Sequence, residues 1–161
     1  MKSIGVIVVI SILCLGLAGS AVWGAEITPG KLSPQDKCPV CGMFVAKYPD
    51  FVAQIILKDG TPVFFDGVKD MLKYYFDIAR YNPGKTSADI AGIFVKDYYK
   101  MKLIDGFQAW YVVGSEVYGP MGRELIPFQD ESAAKEFQAD HKGKEIHRLK
   151  DITPEMVKSL D

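Results

Sequence analysis

Strand-like and helical patterns of apolar residues follow one another in the first half of the chain. The strand-like segments 51–57 ("FVAQIIL") and 61–65 ("TPVFF") flank a Lys-Asp-Gly turn, and Asp-Gly is a strong hairpin signal. Apolar residues then recur at helical spacing, at Val68, Met71, Leu72, Tyr75 and Ile78. We expect Asp66 to cap this helix, "NPG" at 82–84 to end it, and a further strand at 90–99. The first half therefore reads as ββαβ.

The second half of the chain echoes this order. The pattern predicts a strand at 109–114, a loop at 116–122 ("EVYGPMG") and a strand at 123–128. A helix from Asp130, a final strand at 144–149 and a short helix opened by Thr153-Pro154 follow. The prediction is an α+β fold made of two small ββαβ units in tandem, one at 38–100 and one at 101–161.

The first 25 residues have a different character. Lys2 precedes an uncharged run that is apolar over 4–18 and then rich in small residues. This order is typical of a secretory signal peptide, and the run is also long enough to span a bilayer if it is retained. We therefore expect a periplasmic or otherwise extracytoplasmic protein, cleaved or tethered to the membrane through residues 1–25.

Composition narrows the classes of function. The chain has 161 residues, 48% of them hydrophobic, and a formal net charge of −1. Acidic and basic residues are mixed along it, and no basic block or stripe suggests a nucleic-acid partner. Removal of residues 1–25 would also remove Cys14 and leave Cys38 and Cys41, which are too few for a disulfide framework.

The segment "CPVCGM" at 38–43 carries the candidate chemistry. A structural zinc site normally has four Cys or His ligands, and this chain has no second CxxC, while His141 and His147 fall in a later helix and strand. A thioredoxin-like redox pair would open a helix, which the glycine after Cys41 does not favour. A disulfide turn and soft-metal binding also remain open for this pair.

Soft-metal binding explains more of the segment, because thiolate and thioether sulfur favour Cu(I) over harder ions. If residues 41–43 are extended, Cys41 and Met43 lie on one side of the chain. Met121 is a second thioether, bracketed by glycine and proline in the predicted loop. We therefore predict a Cu(I) site formed by Cys41, Met43 and Met121, drawn from both units, with Cys38 as an additional sulfur.

Several segments together resemble a known family. They are "CGM", "DGTPVFFDGVKDMLKYY", "FVKDY", "LIDGFQAWYVVGSEVYGPMGRELIPF" and "AAKEF", and they span roughly 38–152. This pattern resembles the NosL family, copper-binding accessory proteins for maturation of nitrous oxide reductase. The resemblance implies a pair of ββαβ units, a fold shared distantly with organomercurial lyase, and it places the family's Cys-x-Met on Cys41 and Met43 and its glycine-flanked methionine on Met121.

The resemblance also implies a function. A protein of this family would take up Cu(I) outside the cytoplasm and deliver it to apo-nitrous oxide reductase or to another cuproenzyme client. Cys38 makes a CxxC that is not general in the family, and it could add a ligand, pair with Cys41 or shift the metal preference. The alternative from another class is an enzyme, either a thiol–disulfide oxidoreductase or a carbon–metal-cleaving lyase that uses Cys38 and Cys41.

Overall fold

The computed structural model describes residues 27–161. The predicted signal peptide or anchor at 1–25 lies outside these residues, as does Cys14. Within 27–161, no helix has the length and apolar character that a membrane span requires.

The first sheet has four strands in the order β2-β1-β3-β4, all antiparallel. The strands are β1 (Ala53–Leu57), β2 (Pro62–Phe65), β3 (Ile90–Lys96) and β4 (Leu103–Asp105). Every residue of β1 is buried, as expected for a central strand that is covered on both faces. The Asp59-Gly60 turn between β1 and β2 is confirmed: Gly60 has a φ of 84°, and Asp59 accepts a hydrogen bond from the Thr61 amide.

Two helices connect β2 to β3. Helix α1 (Val68–Phe76) buries Val68, Met71 and Leu72, three of the residues whose spacing predicted it. The helical segment is broken at Asp77 and resumes as the short α2 (Ile78–Tyr81), before the predicted stop at 82–84. The expected capping role of Asp66 is wrong, because Gly67 occupies the N-cap and Asp66 lies one residue before it.

The second sheet has three antiparallel strands in the order β6-β5-β7. They are β5 (Trp110–Gly119), β6 (Gly122–Phe128) and β7 (Glu145–Arg148), with helix α3 (Glu131–Asp140) between β6 and β7. The predicted loop at 116–122 is wrong. The two strands continue through it to pair Gly119 with Gly122, so Pro120 and Met121 form a two-residue turn.

The chain ends in the short helix α4 (Pro154–Lys158), whose predicted start is confirmed: Thr153 Oγ1 accepts a hydrogen bond from the Met156 amide, and Pro154 is in the first turn.

The observed order confirms the α+β class and two ββαβ units in sequence. The units share most of their core, since Tyr111, Leu125, Leu149 and Val157 pack in one cluster with the buried residues of the first sheet and α1. A smaller core of Val112, Ile126, Phe128, Ala134 and Phe137 lies between the second sheet and α3. The division of the chain at residue 100 stays a prediction.

Candidate metal centre

Residues 38–42 form a tight turn, which we call the cysteine turn. The Gly42 amide donates to the Cys38 carbonyl at 2.8 Å, and the Cys38 amide donates to the Met43 carbonyl at 2.9 Å. Gly42 has a φ of 79°, which favours glycine because a side chain would crowd the backbone there. The expectation of extended backbone over 41–43 is therefore wrong at Gly42. Both thiols of the turn are free.

The backbone of the cysteine turn directs amide groups at both sulfur atoms. Burial raises the pKa of the Cys38 thiol well above its ordinary value, against hydrogen bonds from the Cys41 and Val40 amides that lower it. Burial likewise raises the pKa of Cys41 to about 11, against a hydrogen bond from the Met43 amide. Both sulfurs therefore carry a proton in the metal-free protein at neutral pH, while the amides are in place to stabilise thiolates once a cation displaces those protons.

Two aspartates at the start of α1 face the cysteine turn. The Cys41 thiol donates to Asp66 Oδ1 at 3.2 Å, and the Cys38 thiol donates to Asp70 Oδ2 at 3.5 Å. One ligand atom from each of the four residues lies within 4.8 Å of the other three, and we call this group the cysteine–aspartate cluster. Cys38, Asp66 and Asp70 are at most 2% exposed, while Cys41 is only partly buried and opens the cluster to the surface.

The cluster has little positive charge to balance its carboxylates. Within residues 27–161, the one cation at salt-bridge distance from either aspartate is Lys73, 3.8 Å from Asp70 Oδ1 and partly exposed. Asp66 Oδ2 is buried and has no hydrogen-bond partner. A buried carboxylate oxygen without a protein partner is costly unless a water, a proton or a cation satisfies it.

The two methionines of the predicted site lie outside this buried cluster. Met43 follows the cysteine turn and is partly exposed. Met121 is 42% exposed at the tip of the β5–β6 hairpin, which we call the methionine hairpin. Its backbone is tied to α1, because the ammonium of Lys69 donates to the Met121 carbonyl at 2.8 Å. Lys69 lies next to Asp70 in the chain, so the methionine hairpin rests on the same turn of α1 that supplies the cluster.

A second contact joins the same two elements. Glu124 on β6 accepts hydrogen bonds from the Lys69 amide at 2.5 Å and from the Leu125 amide at 3.0 Å. Glu124 therefore supplies, from the second unit, a hydrogen-bond acceptor for the first turn of α1. The helix's own N-cap residue, Gly67, has no side chain that could do so. Burial raises the pKa of Glu124 to about 8, against the two amide hydrogen bonds that lower it. Gly67 leaves the space that this carboxylate occupies, since a Cβ there would collide with Oε2.

Sequence reasoning identified the sulfur residues but missed the acidic part of the site. The structure brings Cys38 and Cys41 together and places Asp66 and Asp70 beside them. The signal was present in "DGVKD", because two acidic residues four positions apart at a helix start lie on one face. The ligand roles of Met43 and Met121 stay predictions.

Comparison with known proteins shows which family the chain belongs to. The NosL family model matches residues 29–157. The copper-binding lipoprotein NosL of Stutzerimonas stutzeri is 29% identical over 135 residues, which cover 79% of this chain and 67% of that protein. The copper chaperone NosL from Shewanella denitrificans has a similar fold, with a TM-score of 0.69 at 21% identity over 81% of this chain and 98% of that one. The apo-NosL protein from Achromobacter cycloclastes is 33% identical over 65% of this chain and 87% of that one, with a TM-score of 0.46. With its model matching nearly all of the described residues, the chain belongs to the NosL family.

Proposed function

We propose that this protein is an extracytoplasmic copper chaperone that binds Cu(I) through Cys41, Met43 and Met121, with Cys38 as a further sulfur. It delivers the ion to a cuproenzyme, nitrous oxide reductase first among the candidates, by exchange of thiolate and thioether ligands. The observation that carries the proposal is the pair of free thiols in the cysteine turn, one buried and one partly exposed, with backbone amides directed at both sulfurs.

The relatives support the class of function. One is named as a copper-binding lipoprotein and another as a copper chaperone, and neither name is that of an enzyme. The lipoprotein name also supports an extracytoplasmic, tethered protein, in line with the signal predicted at residues 1–25. The pKa values of both thiols are raised, which opposes a thiol–disulfide enzyme, because such enzymes lower the pKa of their nucleophile.

Stepwise exchange of copper ligands is expected because Met121 is more exposed than the two cysteines. Binding of Cu(I) displaces the proton of Cys41, and the Met43 amide is placed to stabilise the thiolate that forms. The thioethers need no deprotonation and lie at the surface, where an incoming ligand of the client can replace them first. The cysteine sulfurs, Cys41 and the more deeply buried Cys38, are then the last ligands to leave, and the ion is never free in solution.

An anaerobic competition titration tests the ligand set. The reduced protein is titrated with Cu(I) against a strong chelating indicator, and Cys41→Ser is expected to weaken binding at least about a hundredfold, or roughly 2.7 kcal/mol. Met43→Leu and Met121→Leu are each expected to weaken it about tenfold, roughly 1.4 kcal/mol. Met101→Leu is the matched control, because Met101 is 45% exposed, close to the 42% of Met121, and lies in a different loop.

The titration has a clear negative outcome. Unchanged Cu(I) affinity in Cys41→Ser overturns the proposal, and a loss in Met101→Leu equal to that in Met121→Leu removes Met121 from the ligand set. Delivery is tested separately, by mixing the Cu(I)-loaded protein with apo-nitrous oxide reductase and measuring the copper content of each protein after separation. If the chaperone retains its copper, the assignment of Cu(I) as the bound metal stands, but nitrous oxide reductase is not the client.

A further inference from the structure

A depression of about 310 Å³, which we call the arginine depression, lies between the two units. It is lined by Tyr75 on α1, by Phe107 and Gln108 in the turn before β5, and by Arg148, Leu149 and Lys150 where β7 ends. Tyr75 follows Asp70 by five residues, which places it about 140° around the helix axis from that aspartate. The depression therefore opens on a different side of α1 from the copper site, and the sulfur ligands give it no role.

The first feature of the depression is an exposed aromatic ring on a fixed turn. Phe107 is 41% exposed, although its amide donates to Asp105 Oδ1 at 2.8 Å. The preceding Gly106 donates its amide to the Ile93 carbonyl at 2.8 Å. The Gly106 carbonyl accepts a hydrogen bond of 2.6 Å from the Tyr111 hydroxyl. The backbone therefore holds the ring of Phe107 outward, and an aromatic surface with a polar rim is typical of an interaction site.

The second feature is a guanidinium group that is held in place but only partly used. Arg148 Cζ lies 4.2 Å from the centroid of the Trp110 ring, and Arg148 Nη1 donates to the Gln108 carbonyl. Within residues 27–161, the other N–H groups of Arg148 have no hydrogen-bond acceptor. A guanidinium that is already positioned by stacking loses little entropy when it binds a carboxylate through two parallel hydrogen bonds.

The charge of the depression favours an anion. Arg148 and Lys150 are cationic, and none of the lining residues is acidic. In the part of the chain that the structure describes, neither cation forms a salt bridge. A larger groove of about 530 Å³ beside α4 differs in this respect, because Asp77 and Asp161 line it and its Lys73 is paired with Asp161 at 2.5 Å. The positive charge of the arginine depression is therefore available to a partner.

We propose that the arginine depression is a docking site for a partner protein, which inserts an acidic side chain and a neighbouring aromatic side chain from one exposed segment. The carboxylate binds Arg148 and Lys150, and the aromatic ring packs against Tyr75 and Phe107. Aromatic residues and arginine of this kind dominate the binding energy of many protein interfaces. A concave site with two cations suits a side chain better than a bilayer, since membrane recognition uses protruding apolar residues and larger clusters of Lys and Arg.

The position of the docking site gives it a role in copper delivery, and this role rests on the proposed function. A recipient held at the arginine depression leaves the sulfur ligands on the other side of α1 open to exchange. Docking also raises the effective concentration of the recipient at the copper site without covering it.

Binding is tested with a blocked dipeptide, acetyl-Phe-Glu-amide, and its neutral counterpart, acetyl-Phe-Gln-amide. The sequence has two tryptophans, so the full chain with Trp23→Phe keeps Trp110, the partner of Arg148, as the single fluorescent reporter. We expect the acidic dipeptide to change this fluorescence saturably, with a dissociation constant on the order of 1 mM. The neutral dipeptide is expected to bind at least about tenfold more weakly, because it lacks the charged hydrogen bonds.

Variants then locate the binding site. Lys150→Glu and Phe107→Ser are each expected to weaken binding of the acidic dipeptide at least about fivefold, as is Arg148→Lys, which keeps the charge but loses the planar fork. Lys58→Glu, at an exposed lysine beyond β1, is the control for the charge reversal. Tyr99→Ser is the control for the ring, because Tyr99 is 42% exposed and lies in a different loop.

Equal affinity for the two dipeptides would overturn the proposal without any variant, and equal losses in the variants and their controls would also overturn it. Binding to vesicles that contain phosphatidylglycerol, abolished by Lys150→Glu and accompanied by no dipeptide binding, would assign the depression to a membrane surface instead. Cu(I) affinity is expected to change less than about twofold in Phe107→Ser and Lys150→Glu. Dipeptide binding without Cu(I) binding would overturn the copper function alone, and Cu(I) binding without dipeptide binding would overturn the docking site alone.

Discussion

The two ends of the candidate site differ in how firmly they are held. At the inner end, Cys38, Asp66 and Asp70 are at most 2% exposed, and the cysteine turn is closed by backbone hydrogen bonds. At the outer end, Met121 is 42% exposed and its carbonyl bonds to Lys69. A rigid inner end lowers the entropy cost of capturing an ion, whereas an exposed outer end lets ligands leave one at a time. The difference suits a protein that must hold a metal and also release it.

The largest effect on stability is expected from substitution of Lys69, the residue that joins the two ends of the site. Lys69→Met keeps the length of the side chain but removes the ammonium that donates to the carbonyls of Met121 and Leu160. The Leu160 carbonyl loses its partner in a buried region and the Met121 carbonyl in a partly buried one, so we expect a loss of about 3 kcal/mol in the free energy of unfolding, measured by chemical denaturation. Lys135→Met is the control, since Lys135 pairs with Glu131 on an exposed helix face and should cost less than about 0.5 kcal/mol.

The Cu(I) affinity of the same variant shows whether Lys69 positions the methionine hairpin for copper or only stabilises the fold. If Lys69 acts on copper through the methionine hairpin, Lys69→Met weakens Cu(I) binding in the wild type but adds nothing in a Met121→Leu background. A loss of the same size in both backgrounds would contradict this role and leave Lys69 as a purely structural residue.

Glu124 gives the next largest effect, as a dependence of stability on pH. Burial raises its pKa in the folded protein to about 8, from an ordinary value of 4.5. The folded state therefore binds more protons than the unfolded state between these values, and stability falls as pH rises through this window. The fall is on the order of 3 kcal/mol and should be absent in Glu124→Gln, as measured by denaturation at pH 5 and pH 8. A wild type as stable at pH 8 as at pH 5 would contradict the raised pKa.

How much of this site could be predicted from sequence differs between its two ends. The cysteine turn and the methionines are short motifs, so "CPVCGM" and "GPMG" pointed to them directly. The hairpin itself was missed, because glycine and proline at 119–122 indicate a loop whether or not the flanking strands pair. For Asp66 the sequence favours a helix cap over a residue that neutralises or steers charge at the site, because an aspartate just before a helix is more often a cap.

Glu124 and Lys69 could not be predicted from the local pattern at all. Each is buried because it meets the other element, 55 residues away in the chain. A charged residue in a strand or helix gives no sequence signal of such a partner, so contacts between the two units had to come from the structure. The order of elements could be predicted because it depends on local periodicity and turn chemistry.

A smaller effect is expected at Gly67, next to the inner end of the site. It tests how tightly the start of α1 packs against Glu124 of the second sheet. Gly67→Ala places a Cβ against Glu124 Oε2, so the carboxylate must move from the first turn of α1. We expect a loss of about 2 kcal/mol in the free energy of unfolding. In a Glu124→Ala background, the collision is gone and the cost should fall below about 1 kcal/mol. An equal cost in both backgrounds would mean that backbone preference at Gly67, and not the carboxylate, sets it.

The smallest expected effect, about 1 kcal/mol, is at Asp66, and its sign shows whether this buried carboxylate stabilises or destabilises the metal-free fold. In the metal-free protein, Asp66→Asn keeps the acceptor for the Cys41 thiol at Oδ1 and removes a buried negative charge whose Oδ2 has no partner. We therefore expect the variant to unfold about 1 kcal/mol less readily than the wild type in the presence of a chelator. Asp140→Asn, at an exposed aspartate on α3, is the control and should show no change. A variant less stable than the wild type would contradict this expectation and would show that the Asp66 carboxylate, through its contact with the Cys41 thiol, stabilises the fold by more than its burial costs.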